Sequence, residues 1–302
     1  MYKVQGIWGH ENSVKIEWNL GKRCNYDCSY CPSIIHDNTS PHTDIELLKS
    51  TVDKLLSINK PLRISFTGGE PTVHPKFEEL IEYCNSKDVK FISVTTNATR
   101  KPLYYKQLKL NQLVFSLHFE YEWERCLDTI IKTIASDSDE KDYQKHCLVH
   151  VMAHHNYMAQ VKETVERLDF YHIPYNIRRV RWSDNIDHDI FDDLRYDQKD
   201  LDWILKKAST VMPNVRIDNS KTYHANDVIK LHLNKYKGWT CNAGLESLMI
   251  NWDGEVHRAT CRVGGSLGNI YSSDFTLPVE PIVCDRNFCT CAADIPLTKE
   301  LL

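Results

Sequence analysis

The stretch KRCNYDCSYCP, residues 22–32, carries Cys24, Cys28 and Cys31 in a C-x3-C-x2-C spacing, with Tyr30 directly before the last. A disulfide takes thiols in pairs and a closed zinc site takes four protein ligands, so three is the number to explain. A four-iron cluster has four iron corners, each wanting a thiolate. Three thiols on one loop would hold such a cluster and leave one iron open to a further ligand, as a catalytic zinc keeps one position open. A partial zinc knuckle is the competing reading.

Around this loop the chain alternates between two textures. VKIEWNL (14–20) has Val14, Ile16, Trp18 and Leu20 on one face, a period of two that reads as a strand. TDIELLKSTVDKLLSI (43–58) opens with the capping pattern Thr43-x-x-Glu46 and sets Ile45, Leu48, Val52 and Leu55 on one helical face. The pair recurs. LRISF (62–66) is followed by the helical FEELIEYCNSK (77–87), and VKFISVTTN (89–97) by a short basic segment. LVFSLHF (113–119) precedes EWERCLDTIIKTIA (122–135), HCLVHVMA (146–153) precedes MAQVKETVERLDF (158–170), and YNIRRVRW (175–182) closes the series. Six strands separated by helices require a parallel sheet covered by them. Six units fall short of a closed eight-stranded barrel. The expected fold is therefore α/β, a partial (β/α)6 TIM-like barrel, whose chemistry sits at the C-terminal ends of the strands.

The cysteine loop follows the first of these strands and TGGEPT (67–72) the second, so both fall on that rim. Gly68 and Gly69 would let backbone approach a ligand closely, and Glu70 offers an acceptor for an ammonium group. CNYDCSYC together with GGEP resembles the radical S-adenosylmethionine (radical SAM) superfamily over about residues 14–182. The resemblance implies that Cys24, Cys28 and Cys31 bind a catalytic 4Fe-4S cluster whose fourth iron is chelated by the amino and carboxylate groups of SAM. It places Tyr30 near the adenine, and Gly68, Gly69 and Glu70 at the methionine amino group. Asn97 and Ser116 fall where the family contacts ribose and carboxylate. His118 stands where many relatives have aspartate. One electron from the cluster would then split SAM into methionine and a 5′-deoxyadenosyl radical, which takes a hydrogen atom from an unactivated C–H bond. An electron donor such as flavodoxin or ferredoxin is implied as a partner.

A second group, Cys241, Cys261, Cys284, Cys289 and Cys291, lies near the C-terminus. LMINWDGEVHRAT (248–260) reads as a hairpin turning at Asp253-Gly254. This region resembles the SPASM or shorter twitch extension of radical SAM enzymes, with five cysteines where a full SPASM domain has seven. One auxiliary 4Fe-4S cluster held by four of the five is expected, with Cys289 or Cys291 left over. Structural zinc is the alternative. The expected division is a barrel over 1–182, an acidic connector and helix over 183–238, and a small Cys-rich β-hairpin iron–sulfur domain over 239–302. Cys84, Cys126 and Cys147 stand inside apolar patterns and read as small core residues.

Substrate contacts are sought on the same rim. YNIRRVRW alternates Arg178, Val180 and Trp182 with Ile177, Arg179 and Arg181, so one face or the other brings arginine inside, where it would clamp a carboxylate or phosphate. Arg178, Arg181 and Glu120, just past the fourth strand, are the catalytic candidates. His154 and His155 are read as incidental.

The composition bounds the function. Hydrophobic residues make up 42%, charged residues 26%, and the formal net charge is −4. That balance argues against nucleic acid as the partner, and neither a signal peptide nor a membrane-spanning run is present. Eleven cysteines then suit metal in a reducing, cytoplasmic setting better than structural disulfides. Fewer than twenty-five residues precede Cys24, which favours a small-molecule substrate over a ribosomal peptide. A peptide maturase working with a separate leader-binding protein is the alternative, and a non-catalytic metal-binding interaction protein a more distant one.

Overall fold

The computed structural model describes residues 2–7, 12–34, 36–135, 147–180, 195–207, 209–218, 221–272 and 274–301. Arg181, Trp182 and most of the acidic connector lie outside the described residues.

Six parallel strands stand side by side in chain order: β2 (Val14–Asn19), β3 (Leu62–Thr67), β4 (Phe91–Thr96), β5 (Gln112–Leu117), β6 (Cys147–Ala153) and β7 (Tyr175–Arg179). The helices between them are α1 (Ile45–Leu56), α2 (Phe77–Ser86), α3 (Pro102–Gln107), α4 (Trp123–Ile134) and α5 (Met158–Phe170). This is the expected partial barrel. The cap of α1 differs from expectation: Asp44, not Thr43, accepts the Glu46 and Leu47 amides, while Thr43 Oγ1 donates to the Leu20 carbonyl at 3.3 Å. The basic segment after β4 forms the six-residue α3.

The two faces of the strands divide the work. Ile16 and Trp18 of β2 and Ile64 and Phe66 of β3 are fully buried on the helix side, where Phe66 packs Trp18 at 5.7 Å and Phe77 of α2 at 5.9 Å. Each such side chain contributes about 1.5–3 kcal/mol on burial, so this layer stabilises the sheet. The alternate residues are polar, and they interact with one another across the strands. Lys15 pairs with Glu17 at 2.5 Å, Ser65 Oγ meets Ser93 Oγ at 2.7 Å, and the Arg63 guanidinium lies over the Phe91 ring at 4.5 Å. A closed eight-stranded barrel fills its interior with branched apolar side chains. Here the polar faces leave cavities toward both ends of the strands.

The C-terminal segment joins the same sheet. Strand β11 (Ser247–Ile250) runs parallel to β2, with Leu248 opposite Ile16, and is followed by β12 (Glu255–His257) and β13 (Ser266–Asn269). The hairpin turn falls at Gly254, whose φ of 86° suits glycine; a Cβ there would lie 2.5 Å from the Tyr271 ring. The hairpin thus extends the barrel sheet to nine strands.

A second, antiparallel sheet has the order β14 (Ile282–Val283), β10 (Thr240–Cys241), β15 (Lys299–Leu301), β1 (Tyr2–Gly6), β8 (Val215–Ile217) and β9 (Lys221–Tyr223). Within 183–238, the helix α6 (Gln198–Lys206) is joined by β8, β9 and α7 (Ala225–Lys230), which the sequence did not signal. Cys84, Cys126 and Cys147 are core residues, each 3% exposed or less. Among the described residues no helix is long and apolar enough to cross a membrane.

Candidate active site

The loop after β2 is held at every turn. The Cys24 amide donates to the Asp37 carbonyl at 2.8 Å, the Asp37 amide to the Lys22 carbonyl at 2.9 Å, and the Cys31 amide to the Cys28 carbonyl at 2.9 Å. Tyr26 stacks on Tyr121 at 4.2 Å, and the Asp27 amide donates to the Tyr121 hydroxyl at 2.8 Å. His36 Nε2 meets the Tyr26 carbonyl at 2.7 Å. Neither Tyr121 nor His36 was singled out from the sequence. They lie outside any motif, and only the fold brings them to the loop.

The glycine turn serves the same loop. The Gly69 amide donates to the Gly21 carbonyl and the Glu70 amide to the Arg23 carbonyl, at 2.8 and 3.0 Å. A Cβ on Gly68 would lie 2.6 Å from the Gly21 oxygen, and one on Gly69 2.3 Å from the Arg23 oxygen. The close approach these glycines permit is to the backbone leading into the cysteines. Glu70 is 3% exposed. Its Oε1 accepts from the Thr72 amide, Thr72 Oγ1 and Thr96 Oγ1 at 3.0, 2.6 and 2.8 Å, and its Oε2 accepts from the Asn97 amide at 2.7 Å. Burial pushes this carboxyl up while the four donors pull it down. The side chain ties the turn after β3 to the end of β4.

These elements enclose a cavity of about 450 Å³, within the range of small-molecule sites. Cys24, Cys28, Cys31, Tyr30, Gly68, Gly69, Glu70, Asn97, Ser116, His118 and Arg178 all face it. Met152, Ile177 and Lys230 join the lining without any sequence signal. Asn97 Nδ2 donates to Asn25 Oδ1 at 2.8 Å. The Tyr30 hydroxyl meets His118 Nδ1 at 2.6 Å, their rings nearly parallel with centroids 6.0 Å apart. Burial lowers the His118 pKa to about 4, so the imidazole is neutral.

Glu120, the expected substrate contact, is engaged by the cysteine loop. Its Oε2 accepts from the Ser29 amide at 2.8 Å and its Oε1 from Ser29 Oγ at 2.5 Å, with His154 Nε2 at 3.4 Å. It anchors the middle of CSYC. Through that contact and the Tyr30 ring 5.7 Å away, His154 also belongs to the surroundings of the loop.

The donor set suits a cationic group. Burial, the largest influence, pushes the Cys24 thiol up to about 11 and Cys28 higher still. Such thiols ionise only when a metal replaces their proton. The Tyr26 amide points at Cys24 Sγ from 3.4 Å, favouring the thiolate. Among the described residues no three Cys, His, Asp or Glu side chains converge on one metal-binding point; the three thiols share the cavity wall.

In the second group Cys241 and Cys284 bear electrostatically on Cys261, and Cys241 and Cys261 on Cys289. Asp294 and Glu17 act on Cys291, which in turn acts on Arg178. Asp294, buried, accepts from the Cys261 amide at 3.0 Å. Lys299 is opposite Cys241 across the β10–β15 pair and 2% exposed. Its Nζ donates to the carbonyls of Asp294, Ile295 and Leu297 at 2.7, 3.1 and 3.0 Å. Its charge opposes the upward push of burial on Cys241, Cys284 and Cys289.

Comparison with known proteins agrees with this geometry. The radical SAM superfamily model matches residues 18–134. Native anSMEcpe with bound AdoMet superposes with a TM-score of 0.54 at 19% identity, over 87% of this chain and 79% of that one. Streptococcus suis SuiB bound to precursor peptide SuiA gives 0.55 at 14% identity, over 88% and 64%. At these identities the likeness is one of fold. Fe-coproporphyrin III synthase of Methanosarcina barkeri is 33% identical over 85 residues, 28% of this chain and 21% of that protein. The chain spans less than a third of the length of such curated relatives. The cysteine loop, the glycine turn and the six-stranded partial barrel agree with the match of residues 18–134 to the radical SAM superfamily.

Proposed function

We propose that the chain is a radical SAM enzyme acting on a substrate held in the cavity beside Cys24, Cys28 and Cys31. The observation that carries this reading is that three clustered thiols and the Gly68–Glu70 turn share the wall of one cavity of about 450 Å³. A 4Fe-4S cluster on the three cysteines would supply an electron to SAM, releasing a 5′-deoxyadenosyl radical for hydrogen abstraction. The chain's own residues hold the geometry. Glu120, Tyr121 and the Gly21–Arg23 backbone fix the loop beside the cavity. Tyr30, Asn97, Ser116 and His118 are the proposed SAM contacts. An electron donor such as flavodoxin or ferredoxin would supply reducing equivalents.

For an auxiliary 4Fe-4S cluster, Cys241, Cys261, Cys284 and Cys289 are the proposed ligands and Cys291 the residue left over. The grouping of the first four thiols and the Lys299 ammonium beside them support this, since a four-thiolate cluster is anionic. A small molecule is the proposed substrate. A peptide is the second reading, favoured by the shared fold with SuiB, solved with its precursor peptide. Eleven free cysteines support a reducing, cytoplasmic setting.

The test is anaerobic reconstitution with iron and sulfide, followed by dithionite and SAM. The wild type should release 5′-deoxyadenosine, and Cys28→Ala should fall to the level of the protein-free control. Equal release from both would falsify the catalytic assignment.

A further inference from the structure

A guanidinium enclosed by protein normally faces a carboxylate, because an uncompensated buried ion costs several kcal/mol. Arg178 departs from that pattern. It stands on β7 opposite Met152 of β6, and both side chains line the cavity beside the cysteine triad. Arg178 is half-buried, desolvation weighs on its guanidinium, and its side chain lines this cavity. Its Nη1 lies 3.1 Å from His150 Nδ1. Among the described residues no carboxylate is within ion-pair distance. Glu17 and the Cys291 thiol act on it only through space, and Glu17 is already engaged by Lys15 at 2.5 Å.

The histidine partner sharpens the point. Arginine has only donors, so His150 Nδ1 must accept. Burial first, then Arg178 and His224, lower the His150 pKa well below its ordinary value, so the ring is neutral. His150 therefore aims the guanidinium without cancelling its charge. Asn176, two residues earlier on the same strand and opposite His150, has neither side-chain N nor O hydrogen-bonded among the described residues. The cavity wall thus holds a charge with no counter-ion among the described residues, and the strand behind it a buried amide without partners, a combination that costs stability and marks a binding surface.

We propose that Arg178 anchors a carboxylate or phosphate group of the molecule that occupies this cavity together with SAM. The proposal rests on the radical SAM reading for the presence of SAM, while the anion site stands on the geometry of Arg178 itself. The planar fork of N–H donors matches a pair of anionic oxygens.

Inorganic phosphate and succinate, titrated separately by calorimetry into reconstituted, SAM-saturated protein, distinguish the two anion classes. At least one should bind the wild type. Arg178→Gln should weaken that binding tenfold or more, and Arg178→Lys by less. Arg178→Gln should melt at or above the wild-type temperature, since it removes a buried charge with no counter-ion; a lower melting temperature would make Arg178 a structural residue and overturn the proposal. It is also overturned if neither anion binds the wild type, or if Arg178→Gln binds both as well as the wild type does. A tenfold loss of SAM affinity in Arg178→Gln would assign the guanidinium to the cofactor carboxylate and overturn it equally. Absence of 5′-deoxyadenosine from the wild type would sink the enzymatic reading while leaving the anion titration readable.

Discussion

The two cysteine groups of this protein are built in opposite ways. Cys24, Cys28 and Cys31 sit on one loop, braced from below by the Gly68–Glu70 turn and from the side by Glu120 and Tyr121. Cys241, Cys261, Cys284 and Cys289 come from separate segments, joined through the short pairs of β10 with β14 and β15 and through Asp294. A local site has its spacing written in the chain. A dispersed one exists only when distant strands are in register.

That contrast can be broken most decisively at the ligands. Beyond the loss of SAM cleavage expected of Cys28→Ala, Cys241→Ala should halve the iron of the reconstituted protein, from about eight to about four per chain. Cys291→Ala should leave it at about eight. Iron and acid-labile sulfide analysis reads both, and equal losses in the two variants would contradict the division into four and one. Zinc with no iron at the second site would replace the cluster reading there.

Next in size is Gly69→Ala. Its Cβ would meet the Arg23 carbonyl oxygen at 2.3 Å, a backbone contact that no side-chain rotation relieves. The loop or the turn must move, at a cost of about 2–4 kcal/mol. Urea unfolding of the metal-free protein would show it. A Gly69→Ala variant as stable as wild type would mean that the turn does not brace the loop.

Glu120→Gln should be milder. It exchanges a charged acceptor of the Ser29 amide for a neutral one, worth roughly 1–2 kcal/mol. Hydrogen exchange at that amide should quicken, and if it does not, Glu120 is not the anchor described here.

A pH dependence of stability is also expected. Burial holds His118 and His224 at about 4 in the folded chain, below the unfolded value of about 6.5. Between these values the unfolded chain takes up protons that the folded chain refuses. Stability is therefore full above about 6.5 and falls toward pH 4, by about 1.4 kcal/mol per unit for each such group. Urea midpoints at pH 7 and pH 5 should differ less in His224→Gln than in wild type, and an unchanged slope would rule His224 out as a contributor.

Much of the first site was legible because its signals are local. C-x3-C-x2-C, GGEP and the two alternating periodicities are short-range patterns, and the rim rule for parallel strands placed them together before any coordinates. The engagement of Glu120 was not legible for the same reason. Its position just past a strand put it on the rim, and only packing turned it onto Ser29. Arg178 was one of several arginines with no pattern to choose among them, and the parallel register with Met152 put it on the cavity wall.

From the amino-acid order alone came the strand–helix alternation, the clustered thiols of the loop and the end of the barrel where they gather. Those follow from hydrogen bonding and side-chain period, which act over a few residues. Tertiary structure alone decided that the hairpin joins the barrel sheet through β2, that Lys299 is buried opposite Cys241, and that Glu70 and Glu120 serve as braces. Such outcomes depend on which distant surfaces pair and what they bury, and no short window of sequence contains both partners.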